Sequence, residues 1–169
     1  MKIFIVNGRG GAGKTSFEKM VVEIAAAHNQ KIAVLSTIDY VKDVAKSIGW
    51  DGTKTLENRR MLSDLKDLLA RWNGSPHQSV CNKIKEFNDV DAVFIDSREP
   101  EDIQRFIEEY HATTVLVQRG KEIIKYGNHA DDCADDFDYD ICVDNSRGLN
   151  ELFAEAQIFY ECFIRGEDN

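Results

Sequence analysis

The sequence predicts an α/β fold in which a five-stranded parallel sheet is covered by helices on both faces. Short, uninterrupted apolar runs alternate along the chain with segments whose apolar residues recur at helical spacing. Strands without polar alternation are typical of parallel sheets buried on both faces. With 169 residues, of which 43% are hydrophobic, the chain is long enough to bury the core of one domain, predicted to span residues 1–169.

The strands and helices are assigned from the spacing of apolar residues and from the turn residues that follow them. The predicted strands are Lys2–Asn7, a second buried strand at 32–35, a third at 93–95 that ends at Asp96, a fourth at 113–117 and a short fifth at 141–143. The predicted helical faces comprise Phe17, Met20, Val21, Ile24 and Ala25, then Ile103, Phe106, Ile107 and Tyr110, and finally Leu149, Leu152, Phe153, Ala156, Tyr160 and Phe163.

Two segments do not follow the simple alternation of strands and helices. Residues 39–90 are long for one crossover and are predicted to hold two or three helices, with a break at residues 49–52. The second half of this segment places Leu62, Leu65, Leu69 and Trp72 along one helix face. Residues 119–139 are polar, acidic and poorly periodic, which is typical of a lid over one end of the sheet.

A glycine-rich sequence follows the first strand and opens the first helix. Residues 8–15 read Gly-Arg-Gly-Gly-Ala-Gly-Lys-Thr and match G-x-x-x-x-G-K-[ST], the phosphate-binding P-loop. Its glycines let several backbone N–H groups point at one anion, next to the positive end of the helix. Lys14 would reach the β- and γ-phosphates of a nucleotide, and Thr15 would offer its hydroxyl to Mg²⁺. The nucleotide site is therefore assigned to Gly8, Arg9, Gly10, Gly11, Ala12, Gly13, Lys14, Thr15 and Ser16, within a three-layer P-loop NTPase fold.

Further candidate site residues follow the later strands. Asp96 ends the third strand, where a carboxylate would hold Mg²⁺ directly or through water, the alternative being a solvated strand end. Arg98 comes two residues later and would grip a phosphate with its planar guanidinium group. Arg119, after the fourth strand, would neutralise charge on a transferring phosphoryl group or is an exposed loop cation. Arg60, which follows Arg59, is a candidate acceptor contact or part of a solvated helix face.

Composition excludes several classes of function. A net charge of −9 disfavours binding to DNA or RNA, since such binding needs clustered cations. No apolar run approaches the length of a membrane span, and the first residues do not resemble a signal peptide, so a cytoplasmic location is expected. The four cysteines contain no C-x-x-C pair, and reduced thiols are expected rather than a metal site. The sequence does not determine the oligomeric state.

Together with the loop, four other motifs resemble those of the nucleoside monophosphate kinase group, and specifically the deoxynucleoside monophosphate kinase-like proteins often found in phages. Residues 49–52, Gly-Trp-Asp-Gly, followed by Arg59 and Arg60, look like the acceptor-region motif of that family. Residues 96–100, Asp-Ser-Arg-Glu-Pro, are similar to its D-x-R strand end. Residues 129–132 resemble its lid segment, and residues 144–145, Asp-Asn, its late turn.

The resemblance implies transfer of the γ-phosphoryl group of ATP to a nucleoside 5′-monophosphate, with Mg²⁺ as the second cofactor. By this analogy the acceptor is bound by a helical region at about 38–90, and the lid occupies about 119–139. The roles that follow from it are catalysis by Lys14, Arg98 and Arg119, binding of the acceptor by Asp39, Arg60 and Arg98, and metal binding by Thr15 and Asp96.

Four other functions stay open on the residues alone, one of which is a degenerate nucleotide-binding module without turnover. A kinase of another small phosphorylated metabolite would use the same machinery. The loop also differs by one residue from that of dimeric partition-type ATPases, with Arg9 at the position of the lysine that completes the opposite protomer's site. In that alternative residues 36–39, Ser-Thr-Ile-Asp, are an imperfect switch region. A GTPase is less well supported, because residues 82–85 lack the aspartate that would bind guanine.

Overall fold

The computed structural model of the chain describes residues 1–120 and 137–166. The strands are β1 Lys2–Asn7, β2 Ile32–Ser36, β3 Ala92–Asp96, β4 Thr113–Gln118 and β5 Ile141–Asp144. The helices are α1 Lys14–Ala27, α2 Thr37–Ser47, α3 Leu56–Asn73, α4 Ser75–Glu86, α5 Pro100–Tyr110 and α6 Leu149–Phe159, and α6 continues as a π-helical segment, Tyr160–Arg165. The chain forms two compact units, one of Met1–Val34 with Asp89–Asn169 and the other of Leu35–Asn88.

The five strands form one parallel sheet in the order β2-β3-β1-β4-β5, as the sequence predicts. β1 lies at the centre, with β3 and β4 on either side. Near the carboxyl ends of these strands, Val6 of β1 is opposite Asp96 of β3, and Asn7 is opposite Leu116 of β4. The register therefore brings the segments that follow these three strands to one edge of the sheet, where open α/β sheets bind ligands.

The prediction that the second strand is buried is wrong for most of its length. β2 is an edge strand, and Val34 is 44% exposed, whereas Leu35 is buried. An apolar run predicts a strand whether that strand lies at the centre or at the edge of a sheet. Its position depends on which distant strand it pairs with, and the run itself does not specify that partner. β5, at the opposite edge, is also only partly buried.

The core of the first unit lies between one face of the sheet and helices α1 and α6. Because side chains alternate along a strand, Phe4 and Val6 of β1 both face this core. Phe159 of α6 is its aromatic centre and makes edge contacts with Phe4 at 5.1 Å and Phe17 at 5.3 Å between ring centroids. Such contacts add to the free energy gained by burying the rings. The core therefore fixes α1, and with it the loop that precedes α1, against β1.

The closing helix departs from the face that its α-helical spacing predicts. Leu152, Ala156 and Tyr160 are buried as expected, but Leu149 and Phe153 are exposed. The chain adopts π-helical geometry from Tyr160 onward, which adds one residue to the turn. Burial therefore shifts by one position, so that Ile164 packs into the core while Phe163 is exposed.

The second unit is helical and contains α2, α3 and α4, which confirms the prediction of two or three helices in this part of the chain. The predicted break lies between α2 and α3, and Thr55 caps α3 by accepting a hydrogen bond from the Asn58 N–H at 3.1 Å. Of the predicted α3 face, Leu69 is buried but Trp72, in the last turn, is 76% exposed. Among the helices of residues 1–120 and 137–166, none is long and apolar enough to cross a membrane.

Candidate functional site: the phosphate loop

The glycine-rich loop runs from the end of β1 to the first residue of α1, as predicted. At two positions of the loop only glycine fits, because other groups approach the backbone too closely for a side chain. A Cβ atom on Gly8 would lie 2.4 Å from the carbonyl oxygen of Val117 in β4. A Cβ atom on Gly13, whose φ is +99°, would lie 2.2 Å from the Nδ2 atom of Asn145. Since neither space admits a side chain, the glycines bring the loop backbone directly against its neighbours.

Two asparagines hold the ends of the loop. Asn7, the last residue of β1, is buried; its Oδ1 accepts a hydrogen bond from the Gly8 N–H at 2.7 Å. The Nδ2 of Asn7 donates to the hydroxyl of Tyr139 at 2.6 Å. At the other end, Nδ2 of Asn145 donates to the carbonyl oxygen of Ala12 at 2.8 Å. The loop is thus fixed by side chains at its beginning and near its end.

Lys14 and Asp96 meet at the edge where β1 and β3 end. The Nζ atom of Lys14 donates a hydrogen bond to Oδ1 of Asp96, and both side chains are largely buried. A charged pair with little access to water interacts more strongly than an exposed pair, because the surrounding dielectric is lower. Asp96 therefore contacts the loop lysine directly, and its role in holding Mg²⁺ stays a prediction.

Glu18 is a third member of this cluster that the sequence analysis does not identify. It lies on α1 one turn after Lys14, is 3% exposed and shares a hydrogen bond with Asp96. Burial, and then the neighbouring charge of Asp96, raise the pKa of the Glu18 carboxyl from 4.5 to about 8, although Lys14 acts in the opposite direction. The sequence around Glu18 carries no signal of this role, because its partner Asp96 belongs to a distant strand.

The cluster and the loop fit a Mg²⁺–nucleotide. Gly8 and Gly13 let the loop backbone lie directly against β4 and Asn145, and Thr15 is exposed at the start of α1. Within the described residues, the Oε1 atom of Glu18 is buried without a hydrogen-bond partner. Carboxylate and hydroxyl oxygens are the ligands that Mg²⁺ prefers. Thr15 and Asp96 are thus the residues that would hold the metal.

Two predicted arginines follow strands next to β1. Arg98 is half-buried and comes directly after the Asp96 strand end and the buried Ser97. Arg119 is exposed and follows β4, on the other side of β1. Both arginines therefore follow strand ends at the edge of the sheet that carries the loop. Most of the predicted lid, residues 121–136, lies outside the described residues.

The predicted acceptor residues of the helical segment lie in the second unit. Asp39 on α2 forms an ion pair with Lys42 at 3.0 Å, and Arg60 is exposed on α3. The turn at residues 49–52 is fixed locally, since Oδ1 of Asp51 accepts hydrogen bonds from the N–H and hydroxyl of Thr53 at 2.9 and 2.7 Å. These bonds lower the pKa of Asp51. Binding of an acceptor by Asp39 and Arg60 stays a prediction.

The fold and the loop together define a three-layer α/β fold of the P-loop NTPase type. The chain is similar to the APS kinase CysC of Mycobacterium tuberculosis, solved as a cysteine-to-alanine variant, with 14% identity over 95% of this chain and 96% of that one and a TM-score of 0.51. It is also similar to shikimate kinase from Aquifex aeolicus, with 15% identity over 95% of this chain and 96% of that one and a TM-score of 0.51. No protein-family model matches the sequence, and no curated protein matches it. At this identity the likeness establishes the fold alone.

Proposed function

We propose that the protein is a kinase that transfers the γ-phosphoryl group of ATP to a nucleoside 5′-monophosphate. The observation that carries the proposal is the contact between Lys14 and Asp96, which joins the phosphate loop to the carboxylate at the end of the neighbouring strand. Phosphoryl transfer needs a lysine near the β- and γ-phosphates and an acid near the metal. The proposal rests on these residues rather than on the fold, because P-loop folds serve many functions.

The residues of the site have separate tasks in this reaction. The loop N–H groups bind and orient the phosphates, and Lys14 moves from Asp96 to the β- and γ-phosphates when a nucleotide binds. Thr15 and Asp96 would hold Mg²⁺, which would supply positive charge beside the phosphate oxygens. Arg98 binds the phosphate of the acceptor, and Arg119 stabilises charge on the transferring group. No general base is required, since such transfer depends on positioning and electrostatics.

The choice of a nucleoside monophosphate as acceptor rests on the motif resemblance together with the position of Arg98. The guanidinium group follows the strand end that carries Asp96, and it is half-buried. An arginine held in this way suits a phosphorylated acceptor better than an uncharged one, because its planar donors match phosphate oxygens. A different small phosphorylated metabolite would satisfy the same contact.

The test is an ATP-to-ADP assay with Mg²⁺ against all common ribo- and deoxyribonucleoside monophosphates, with products identified by mass. ADP formation that depends on one acceptor, with its diphosphate appearing in equal amount, is the expected result. Slow ATP hydrolysis that is indifferent to every acceptor would contradict the nucleotide acceptor. It would direct the search to other phosphorylated metabolites or to the switch ATPase.

One observation disfavours the partition-type ATPase. In that alternative the residue at position 9 reaches into the site of a second protomer. The Nε and Nη1 atoms of Arg9 are buried within this chain. To contact a second protomer, the guanidinium group would first have to leave this position inside its own chain. Arg9 is therefore better explained as part of this chain's own loop.

Replacing Arg98 by alanine is expected to impair use of the acceptor more than binding of ATP. Loss of a charge-assisted contact to the acceptor phosphate should raise the acceptor KM or lower kcat by roughly tenfold or more. ATP affinity should change by less than about threefold, because the loop and Lys14 are intact. Steady-state kinetics with each substrate varied in turn measures both effects.

The matched control for this variant is Arg105→Ala. Arg105 is an exposed arginine on α5, the helix that follows Arg98, and its removal changes net charge equally. We expect wild-type kinetics from it. If the Arg98 variant shows unchanged acceptor KM and kcat, Arg98 has no part in the site.

A further inference from the structure

Asn145 connects the turn after β5 to the phosphate loop. Its Nδ2 atom donates to the carbonyl oxygen of Ala12 at 2.8 Å in buried surroundings, and Asn145 is itself 5% exposed. The two residues are 133 positions apart in the sequence. Since a turn between a strand and a helix needs no buried amide of this kind, turn formation alone does not account for the contact.

The side chain of Asn145 is held in place from several directions. Its backbone N–H donates to the carbonyl oxygen of Gln118, the last residue of β4, at 2.8 Å. Asp144 accepts hydrogen bonds from the N–H and hydroxyl of Ser146 at 2.8 and 2.9 Å, which closes the turn around Asn145. The amide also lies against Gly13, where a Cβ atom would come within 2.2 Å of Nδ2. The donor is thus fixed before any ligand binds.

The contact with Ala12 determines which way the next N–H points. The peptide between Ala12 and Gly13 is trans, so its C=O and N–H bonds point in opposite directions within one plane. A carbonyl oxygen held by Asn145 therefore turns the Gly13 N–H to the opposite side of the loop. With the carbonyl directed outward, no acceptor oxygen from this peptide repels an anion in the cradle.

We propose that Asn145 is a positioning residue that aims the N–H of Gly13 into the phosphate cradle by holding the other end of the same peptide plane. The proposal rests on the phosphate-binding part of the proposed function and does not depend on the acceptor. The ligand class is the oligophosphate of a nucleoside triphosphate. Asn145 acts through the loop backbone and need not touch the ligand.

The test replaces Asn145 by leucine, which has nearly the same shape but no donor and no charge. Titration calorimetry with tripolyphosphate is expected to give a dissociation constant about tenfold or more above that of the wild-type chain, because one charge-assisted hydrogen bond is misdirected. The matched control is Asn150→Leu, the same substitution at an exposed asparagine in the first turn of α6. The control should bind tripolyphosphate like the wild-type chain.

A merely structural role for Asn145 predicts a different result. The N145L variant would then melt at a lower temperature than the wild-type chain, yet its tripolyphosphate affinity would be unchanged at a temperature where both chains are folded. Affinity within about twofold of the wild-type value in folded N145L would therefore overturn the proposal. If N145L does not fold, N145A is measured in the same way.

A measurement on the unaltered chain tests the premise that the Gly13 N–H faces the phosphate. In ¹H–¹⁵N spectra, the Gly13 amide is expected to shift on addition of tripolyphosphate, and a Gly13 amide that does not respond would overturn the proposal. The outcome is separable from the kinase assay. Binding that depends on Asn145 without transfer to any acceptor would contradict the proposed function only, and transfer without that dependence would contradict this inference only.

Discussion

Replacing Lys14 by alanine is expected to abolish phosphoryl transfer while the chain stays folded. Lys14 supplies the side-chain cation of the phosphate loop and lies against Asp96, so its loss removes positive charge where the transferring group gains negative charge. We expect kcat/KM to fall by at least about 10³-fold. The measurement is the acceptor-dependent ATP-to-ADP assay, with circular dichroism to follow folding.

The fold should survive because Asp96 is not fully buried. Its side chain is 24% exposed, so water can solvate part of the carboxylate when the lysine is removed. The matched control is Lys19→Ala, since Lys19 is an exposed lysine on the same helix. We expect it to keep wild-type turnover. A folded Lys14 variant that retains a tenth or more of the wild-type kcat/KM would show that transfer does not depend on the loop lysine.

The sequence predicts the parallel sheet and the loop because both depend on local patterns. An apolar run marks a strand, and the loop motif specifies its own backbone through its glycines. The positions of Asp96 and Arg98 at this edge are also predicted, since residues that follow adjacent parallel strands meet at one edge of the sheet, whereas their roles stay predictions. The edge position of β2 is not predicted, because the pairing partner of a strand is absent from its own sequence.

The residues that surround the loop are missed for a related reason. Glu18 and Asn145 matter through contacts with residues on other elements, Asp96 and Ala12 respectively. Nothing near Glu18 in the sequence indicates that a carboxylate lies beside it. Asn145 belongs to the turn that resembles the family's late Asp-Asn motif, but asparagine is common in turns for local reasons, so the sequence does not indicate its contact with the loop. Such contacts become visible only when the sheet is assembled.

Replacing Glu18 by glutamine is expected to make stability less sensitive to pH, because glutamine does not ionise. The pKa of Glu18 is about 8 in the folded chain and 4.5 as its ordinary value, which we take for the unfolded chain. Between these two pH values the folded state binds more protons than the unfolded state. The free energy of unfolding therefore falls as pH rises from about 4.5 to about 8. Below about pH 4.5 the Glu18 carboxyl is neutral in both the folded and the unfolded chain, so it does not lower the free energy of unfolding. Above about pH 8 it is ionised in both, and the decrease in the free energy of unfolding is complete.

This fall in the free energy of unfolding with rising pH predicts how the Glu18→Gln variant differs from the wild-type chain. The Glu18→Gln variant should become more stable relative to the wild-type chain as pH rises. The difference in their free energies of unfolding should grow by on the order of 3–5 kcal/mol across the whole window. Glutamine keeps the size of the side chain, and its amide can donate to Asp96, so packing is little changed. Urea unfolding at several values between about pH 5 and about pH 9 measures the difference.

Glu23→Gln provides the matched control, because Glu23 is an exposed glutamate on the same helix. Its free energy of unfolding should run parallel to that of the wild-type chain over the same pH range. Since other groups titrate in both chains, only the difference between the curves is informative. Parallel curves for the wild-type chain and the Glu18→Gln variant would mean that Glu18 ionises in the folded chain as readily as in the unfolded one. The cluster of Lys14, Asp96 and Glu18 would then be solvated rather than buried.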